Sequence, residues 1–144
     1  VSSLVDGVNY EWSRGKWKPI IFLNSLVSHE DVVALYKMAD VCLVTSLHDG
    51  MNLVSKEYVT AKDGNGVLVL SKLTGTSREL TQALIVNPYS ISEMAGAIKQ
   101  ALEMPLEEKK ARLAKMAQHI EENDVYKWAA DFVENIAKLD NVVK

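Results

Sequence analysis

Four short apolar runs alternate along this chain with stretches of helical period, and that alternation constrains the fold more than any other feature. The runs are Pro19–Leu23, Val41–Thr45, Val67–Leu70 and Ala83–Val86. Each is apolar without a period of two, as expected of strands covered on both faces. Ahead of the second run, Ser28 offers an N-cap with Asp31 three residues on. Val32, Leu35, Tyr36 and Ala39 then recur at helical spacing, which predicts a helix from about Ser28 to Ala39. A helix is predicted from Asn52 to Ala61, closed by the turn Asp63-Gly64-Asn65-Gly66, and a short helical stretch at Ser77–Leu80. Strands alternating with helices pair in parallel through crossovers. The expected class is α/β, a small parallel sheet of about four strands flanked by helices.

The rest of the chain reads as helix. Ser90 and Glu93 form a second capping pair ahead of the stripe Ile91, Met94, Ala95, Ile98, Ala101 and Leu102. Pro105 ends that helix or starts the next. Leu113, Met116, Ala117 and Ile120 mark a helix ending near Asn123. Val125, Trp128, Ala129, Phe132, Ile136 and Leu139 mark the last one. Residues 1–18 carry Trp12, Trp17, Gly7 and Gly15 without a period. They fit a helix end with a long loop, or a cut edge whose partner strands lie elsewhere. Residues 1–144 are read as one partial Rossmann-like domain, with 1–18 its ill-defined opening segment and 105–144 its C-terminal helices.

Charge and cysteine usage narrow the function. The formal net charge is −3 and no dense Lys/Arg run is present, which argues against nucleic acid as a partner. No apolar run has the length of a membrane span, and the start lacks the basic and apolar regions of a signal peptide. The single cysteine, Cys42, sits inside an apolar run, where a packing thiol is expected. These features fit a reduced, cytoplasmic protein.

The chemistry concentrates between the second run and the following helix, at Asp49-Gly50-Met51-Asn52-Leu53-Val54-Ser55-Lys56-Glu57. The point where a strand hands over to a helix is where anionic and sugar-like ligands bind in α/β proteins. Gly50 allows a positive φ or a close backbone approach. The amides of Met51 through Val54 would point off the helix N-terminus, suited to phosphate. Glu57 falls on the same stripe as Val54, Tyr58 and Ala61, so it invites a partner such as a ligand hydroxyl pair. Equally, it is a helix-start carboxylate exposed at the edge and favoured by the dipole. Lys56 lies off that stripe and can reach water. Asp49 is either part of the site or a loop carboxylate that caps the helix, and His48 reads as a loop residue. Ser71, Thr74 and Gly75 end another strand near the same crevice and stand in the second tier. No His/Cys/Asp cluster has metal-ligand spacing, and no P-loop, G-x-S-x-G or G-x-G-x-x-G occurs.

The segment Leu43 to Val59 closely resembles the trehalose-6-phosphate synthase family, retaining GT-B glycosyltransferases that use UDP-glucose. Further matches follow in order: Gly66 to Ser71, Gly75 with Glu79-Leu80, Ala83 to Tyr89, and Asn123-Asp124-Val125 with Trp128. The resemblance runs from about Trp17 to Leu139. It implies the C-terminal part of a donor-binding domain and a nucleotide sugar as small-molecule partner. Asp49, as the catalytic position, and the backbone of Gly50, Met51 and Asn52 would hold the glucose hydroxyls. Amides around Asn52, Leu53 and Val54 would meet the diphosphate. Glu57 would bind the ribose, and the loop near Val27 would face the uracil. Asp49 and Glu57 match the acidic ends of the E-x7-E pattern of related GT-B enzymes, with aspartate first. The family's reaction uses no cofactor and no metal. It is a front-face displacement in which the leaving phosphate helps deprotonate the acceptor, and the protein positions groups and stabilises charge.

Two departures qualify the match. His48 stands where the family usually has Arg. The family's Arg and Lys that clamp the UDP phosphates, and its N-terminal acceptor-binding domain, find no match in these residues. The missing domain or a partner chain is therefore expected to complete the cleft, and the chain alone is expected to be inactive or very weak. The reading that follows is transfer of glucose from UDP-glucose to glucose-6-phosphate with retention. The alternatives are a non-catalytic nucleotide-sugar-binding or regulatory module, or a related glucosylglycerol-phosphate synthase.

Overall fold

The computed structural model describes residues 1–140, the side chains of Leu139 and Asp140 excepted. Two compact units are present, Val1–Val32 and the remainder from Val33.

In the first unit, helix α1 (Ser2–Trp12) is followed by a tight turn. Arg14 and Trp17 pair across it, and Gly15 supplies the left-handed residue at φ 60°. The Pro19–Leu23 run forms no strand. A strand needs a neighbouring backbone. Here the Asn9 side chain stands in for one, its Nδ2 donating to the Ile20 carbonyl and its Oδ1 accepting from the Ile20 amide, both at 3.0 Å. The strand expected at Pro19–Leu23 is thus replaced by a loop tied to α1. Helix α2 (His29–Met38) begins at the expected cap and runs on into the second unit. The Ser28 hydroxyl donates to Asp31 at 2.6 Å and accepts from the Asp31 amide at 3.2 Å.

The second unit is built on three parallel strands in the order β1 (Val41–Val44), β2 (Val67–Ser71), β3 (Leu84–Val86). Val41 pairs with Val67, and Val69 with Leu84. The sheet is small, parallel and helix-flanked as the pattern requires, with three strands instead of about four. β2 is central and every residue in it is buried. Its side chains alternate between two cores, as strand geometry dictates. Leu68 and Leu70, with Val44 of β1, enter a cluster with Tyr58, Val59, Leu80, Leu113 and Met116. Val67 and Val69 enter the other, with Leu84, Val86, Ala97, Ala101 and Met104. Helices α3 (Leu53–Ala61) and α5 (Leu106–Glu122) supply the first face and α4 (Ile91–Glu103) the second. The edge strands are less covered: Leu43 and Ile85 are 49% and 40% exposed.

The helix boundaries have local causes. Ser90 caps α4, its hydroxyl accepting from the Glu93 amide at 3.3 Å. The Glu93 carboxylate accepts from the Asn87 amide at 2.9 Å, three residues before the Ser90 amide that a reciprocal capping box would use. Pro105 precedes α5, where its missing N–H is not needed. The buried line of α4 is Ala97, Ala101 and Met104, with Met94 and Ile98 partly covered. Ile91, Ala95 and Leu102 of the expected stripe face out. Helix α6 (Val125–Asp140) stacks Trp128 on Phe132 with ring centroids 5.5 Å apart, yet its apolar side chains Val125, Trp128, Phe132 and Ile136 remain exposed. Leu139, assigned to the same stripe, lies outside the described side chains.

Candidate functional site

Residues 45–52 connect β1 to α3, and the sequence dictates the shape of the turn into the helix through one carboxylate. Asp49 Oδ1 accepts from the amides of Met51 at 3.2 Å and Asn52 at 2.9 Å, and Oδ2 accepts from Asn52 Nδ2 at 2.8 Å. An aspartate that folds the following backbone onto itself is an Asx turn. These bonds, the Asn52 side chain first, together with a small charge attraction from His48, hold the Asp49 carboxyl below its usual range. Asn52 is the buried N-cap of α3, and its Oδ1 accepts from the Ser55 amide at 3.0 Å. It is also the single non-glycine residue with positive φ, 52°, among the described residues. Asparagine tolerates the left-handed region better than most side chains.

Gly50 was expected to provide the unusual φ or the close approach. The positive φ falls instead on Asn52, and the glycine required by close approach is Gly75. A Cβ on Gly75 would run into the Gly50 carbonyl oxygen, whereas one on Gly50 would meet nothing within 4 Å. The two loops are joined in register: the Gly75 amide donates to the Asp49 carbonyl at 2.9 Å, and Asp49 forms a parallel bridge with Thr74. Beneath this, the fully buried Ser55 hydroxyl donates to the Asn52 carbonyl at 3.0 Å and is hydrogen-bonded to the Thr76 hydroxyl at 3.2 Å. Thr76 belongs to the 3-10 turn Gly75–Arg78 that takes the place of the short helix expected at Ser77–Leu80.

The amide inventory changes accordingly. Met51 and Asn52 give their N–H groups to Asp49 and the Ser55 amide goes to Asn52. Leu53 and Val54 hold the first two positions of α3, whose N–H groups have no intrahelical acceptor. They stand at the positive end of the helix dipole. Of the four amides expected to be open, two are open to a ligand by geometry.

The α3 face is rotated from the expected one. The buried line is Ser55, Tyr58 and Val59, while Val54 and Glu57 are exposed. Glu57 is therefore the exposed edge carboxylate of the second reading, on the outer face one turn beyond the helix start. Its Oε2 accepts from the Tyr36 hydroxyl at 3.2 Å. Lys56, expected to reach water, instead pairs with Glu79 at 2.7 Å. Ser71 and Thr74 are buried and serve their own turn: Ser71 Oγ accepts from the Leu73 amide at 3.1 Å, and Thr74 Oγ1 donates to the Ser71 carbonyl at 2.8 Å. Val27 belongs to the first unit, half-buried in the loop before Ser28. Cys42 packs against the first core cluster, and burial pushes its thiol up to about 11. Among the described residues no three His, Cys, Asp or Glu side chains converge as a metal site requires. Ser55, Thr76 and Tyr36 were not singled out as site residues in the sequence. A serine three residues after an Asn cap was the available signal for Ser55.

One pH consequence follows for Asp49. A folded-state pKa held down means the carboxylate ties are present above the unfolded value of about 3.9 and are lost as pH falls through the lowered one. Carbon-detected NMR of the Asp49 carboxyl should give a midpoint below that of a free aspartate. A midpoint at or above it would mean the ties to Met51 and Asn52 do not form in solution.

The model of glycosyltransferase family 20 matches residues 1–138, so the similarity takes in the opening segment as well. Over 134 residues the chain is 47% identical to the trehalose-6-phosphate synthase of Klebsiella pneumoniae, covering 92% of this chain and 28% of that protein. It is 42% identical over 130 residues to a bifunctional trehalose-6-phosphate synthase/phosphatase of Thermoproteus tenax, 90% of this chain and 18% of the other. The crystal structure of the Burkholderia multivorans trehalose 6-phosphate synthase matches with a TM-score of 0.91 at 40% identity, over 99% of this chain and 31% of that one. The E. coli protein bound with UDP-2-fluoro glucose matches with a TM-score of 0.89 at 41% identity, over 93% and 30%. The chain thus spans less than a third of the length of these relatives. A family match over nearly every residue, with the same fold at about 40% identity in solved structures, leads to one conclusion: this chain belongs to glycosyltransferase family 20.

Proposed function

We propose that this chain supplies a donor half-site of a trehalose-6-phosphate synthase, which transfers glucose from UDP-glucose to glucose-6-phosphate with retention. The observation that carries the reading is the geometry at α3. A loop locked by Asp49 leaves the open amides of Leu53 and Val54 at the positive end of the helix, with an exposed carboxylate, Glu57, one turn further. The diphosphate of the donor would lie at those two amides, and the ribose hydroxyls would be accepted by Glu57. The glucose would lie against Gly50, Met51 and Asn52. Asp49 would act chiefly by holding that backbone in place, with its remaining lone pairs turned to a sugar hydroxyl. The E. coli relative bound with UDP-2-fluoro glucose supports the donor class. Acceptor contacts would come from the part of the relatives' length that this chain does not span, so donor binding without turnover is expected of the chain by itself.

Titration of the chain with UDP and UDP-glucose, followed by amide NMR, should shift residues 49–57. Unperturbed spectra at millimolar ligand would sink donor binding by this chain. In the complete enzyme, Glu57→Ala should raise KM for UDP-glucose by roughly ten- to a hundredfold, the range for hydrogen bonds to a charged group. Asp49→Ala should lower turnover more than it weakens nucleotide binding. Wild-type kinetics in both variants would show the site assignment to be wrong.

A further inference from the structure

Glu57 has a neighbour that its place on the outer face of α3 does not require. Tyr36, on α2 and 21 residues earlier, donates its hydroxyl to Glu57 Oε2 at 3.2 Å. The distance is longer than the ideal for O–H···O by roughly 0.5 Å, so the bond directs the carboxylate more than it immobilises it. The hydroxyl itself is well fixed. The Tyr36 ring meets the Tyr58 ring edge-on, with centroids 6.1 Å apart and planes at 82°. Tyr58 is fully buried, and its own hydroxyl donates to the Ala39 carbonyl at 3.4 Å. The core therefore sets where the Tyr36 oxygen lies. Burial, and then the nearby Glu57 charge, push the Tyr36 phenol up to about 12, so it stays protonated and remains a donor. Among the described residues no other side chain is hydrogen-bonded to Glu57. Oε1 and one lone pair of Oε2 are left without a protein partner on this exposed residue.

We infer that Tyr36 is a positioning residue for the donor nucleotide, holding Glu57 by one oxygen so that the carboxylate is presented to the vicinal hydroxyls of the ribose. The inference rests on the donor-site reading of Glu57 given above. An unrestrained glutamate on an exposed helix face samples many rotamers, and each ligand encounter would have to select one. A hydroxyl fixed by the core removes part of that search before the ligand arrives.

Tyr36→Phe in the complete enzyme keeps the ring and its packing on Tyr58 and deletes only the donor. KM for UDP-glucose should rise roughly three- to tenfold, as for the loss of one hydrogen bond, with kcat unchanged. The preference for UDP-glucose over its 2′-deoxyribose analogue should shrink by a similar factor, because the analogue lacks one of the hydroxyls that the oriented carboxylate reads. A rise in KM that is equal for the two donors would mark Tyr36 as merely structural and overturn the inference, as would an unchanged KM. Glu57→Ala, measured beside it, separates the two levels. If Glu57→Ala abolishes the ribose preference and Tyr36→Phe leaves it intact, the positioning role fails and the donor reading stands. If Glu57→Ala itself leaves the preference intact, the donor reading fails and the positioning role with it.

Discussion

Alanine at Gly75 is expected to lower the unfolding free energy by about 3 kcal/mol, at the upper end of the range for overpacking. The added Cβ would run into the Gly50 carbonyl oxygen, with the Gly50 carbonyl carbon 3.0 Å away and the Met51 amide nitrogen at 3.7 Å. Both crowding atoms, the Gly50 carbonyl oxygen and carbon, are backbone, so no rotamer change relieves them. The loop must retreat. Retreat stretches the 2.9 Å bond from the Gly75 amide to the Asp49 carbonyl and the buried contact between Ser55 and Thr76. If the proposed donor site is right, donor binding should fall with stability, because the same displacement moves the backbone of Gly50 and Met51. Gly50→Ala is the control: its Cβ would meet nothing, and the change should stay within about 1 kcal/mol. Urea unfolding of the two variants measures both. Equal losses at the two positions would show that the loops are not packed together in solution.

The second large effect is expected in the sheet. Leu70→Ala should cost about 2–5 kcal/mol, the range for deleting a fully buried leucine side chain. Leu70 is inaccessible to solvent on the central strand, within the cluster of Tyr58, Val59, Leu80, Leu113 and Met116. Helices press on both faces of β2, so neighbouring atoms cannot all collapse into the space left behind. Leu43, on the edge strand and 49% exposed, gives the contrast, and Leu43→Ala should cost less than about 1 kcal/mol. Against a domain stability of about 5–15 kcal/mol, the first change takes a large fraction and the second does not. Denaturant midpoints compared at equal slope decide the matter. Similar losses would contradict the difference in burial between β1 and β2.

Elements that state their own boundaries were legible in the chain. Ser28 with Asp31, Ser90 with Glu93 and Pro105 each place a helix start within a residue of where it occurs. The apolar runs at Val41, Val67 and Leu84 became strands because each finds a backbone neighbour. Pro19–Leu23 has the same composition and finds only the Asn9 side chain, which no local pattern announces. At α3 the order of Val54 and Ser55 misled. The apolar Val54 suggested the inner face, but the buried line starts at Ser55, whose hydroxyl is satisfied by Asn52 and Thr76. A rotation by one residue carried Glu57 outward. The segment 49–57 was found as a candidate site, but the division of labour inside it was not. That Asp49 spends its oxygens on Met51 and Asn52 depends on the left-handed turn at Asn52, a property of three-dimensional closure.

The bridge between Asp49 and Thr74 has a kinetic side. It joins segments on either side of α3 and β2, and every pairing of β1 with β2 spans the same crossover. Such contacts give nothing back until the intervening chain has been gathered in, and non-local pairing of this kind is slow. The α3 amides could be ordered early as part of a nascent helix, but the loop that aims them closes only when the parallel strands zip. The Asp49 loop is therefore expected to take its final shape late in folding, together with the sheet.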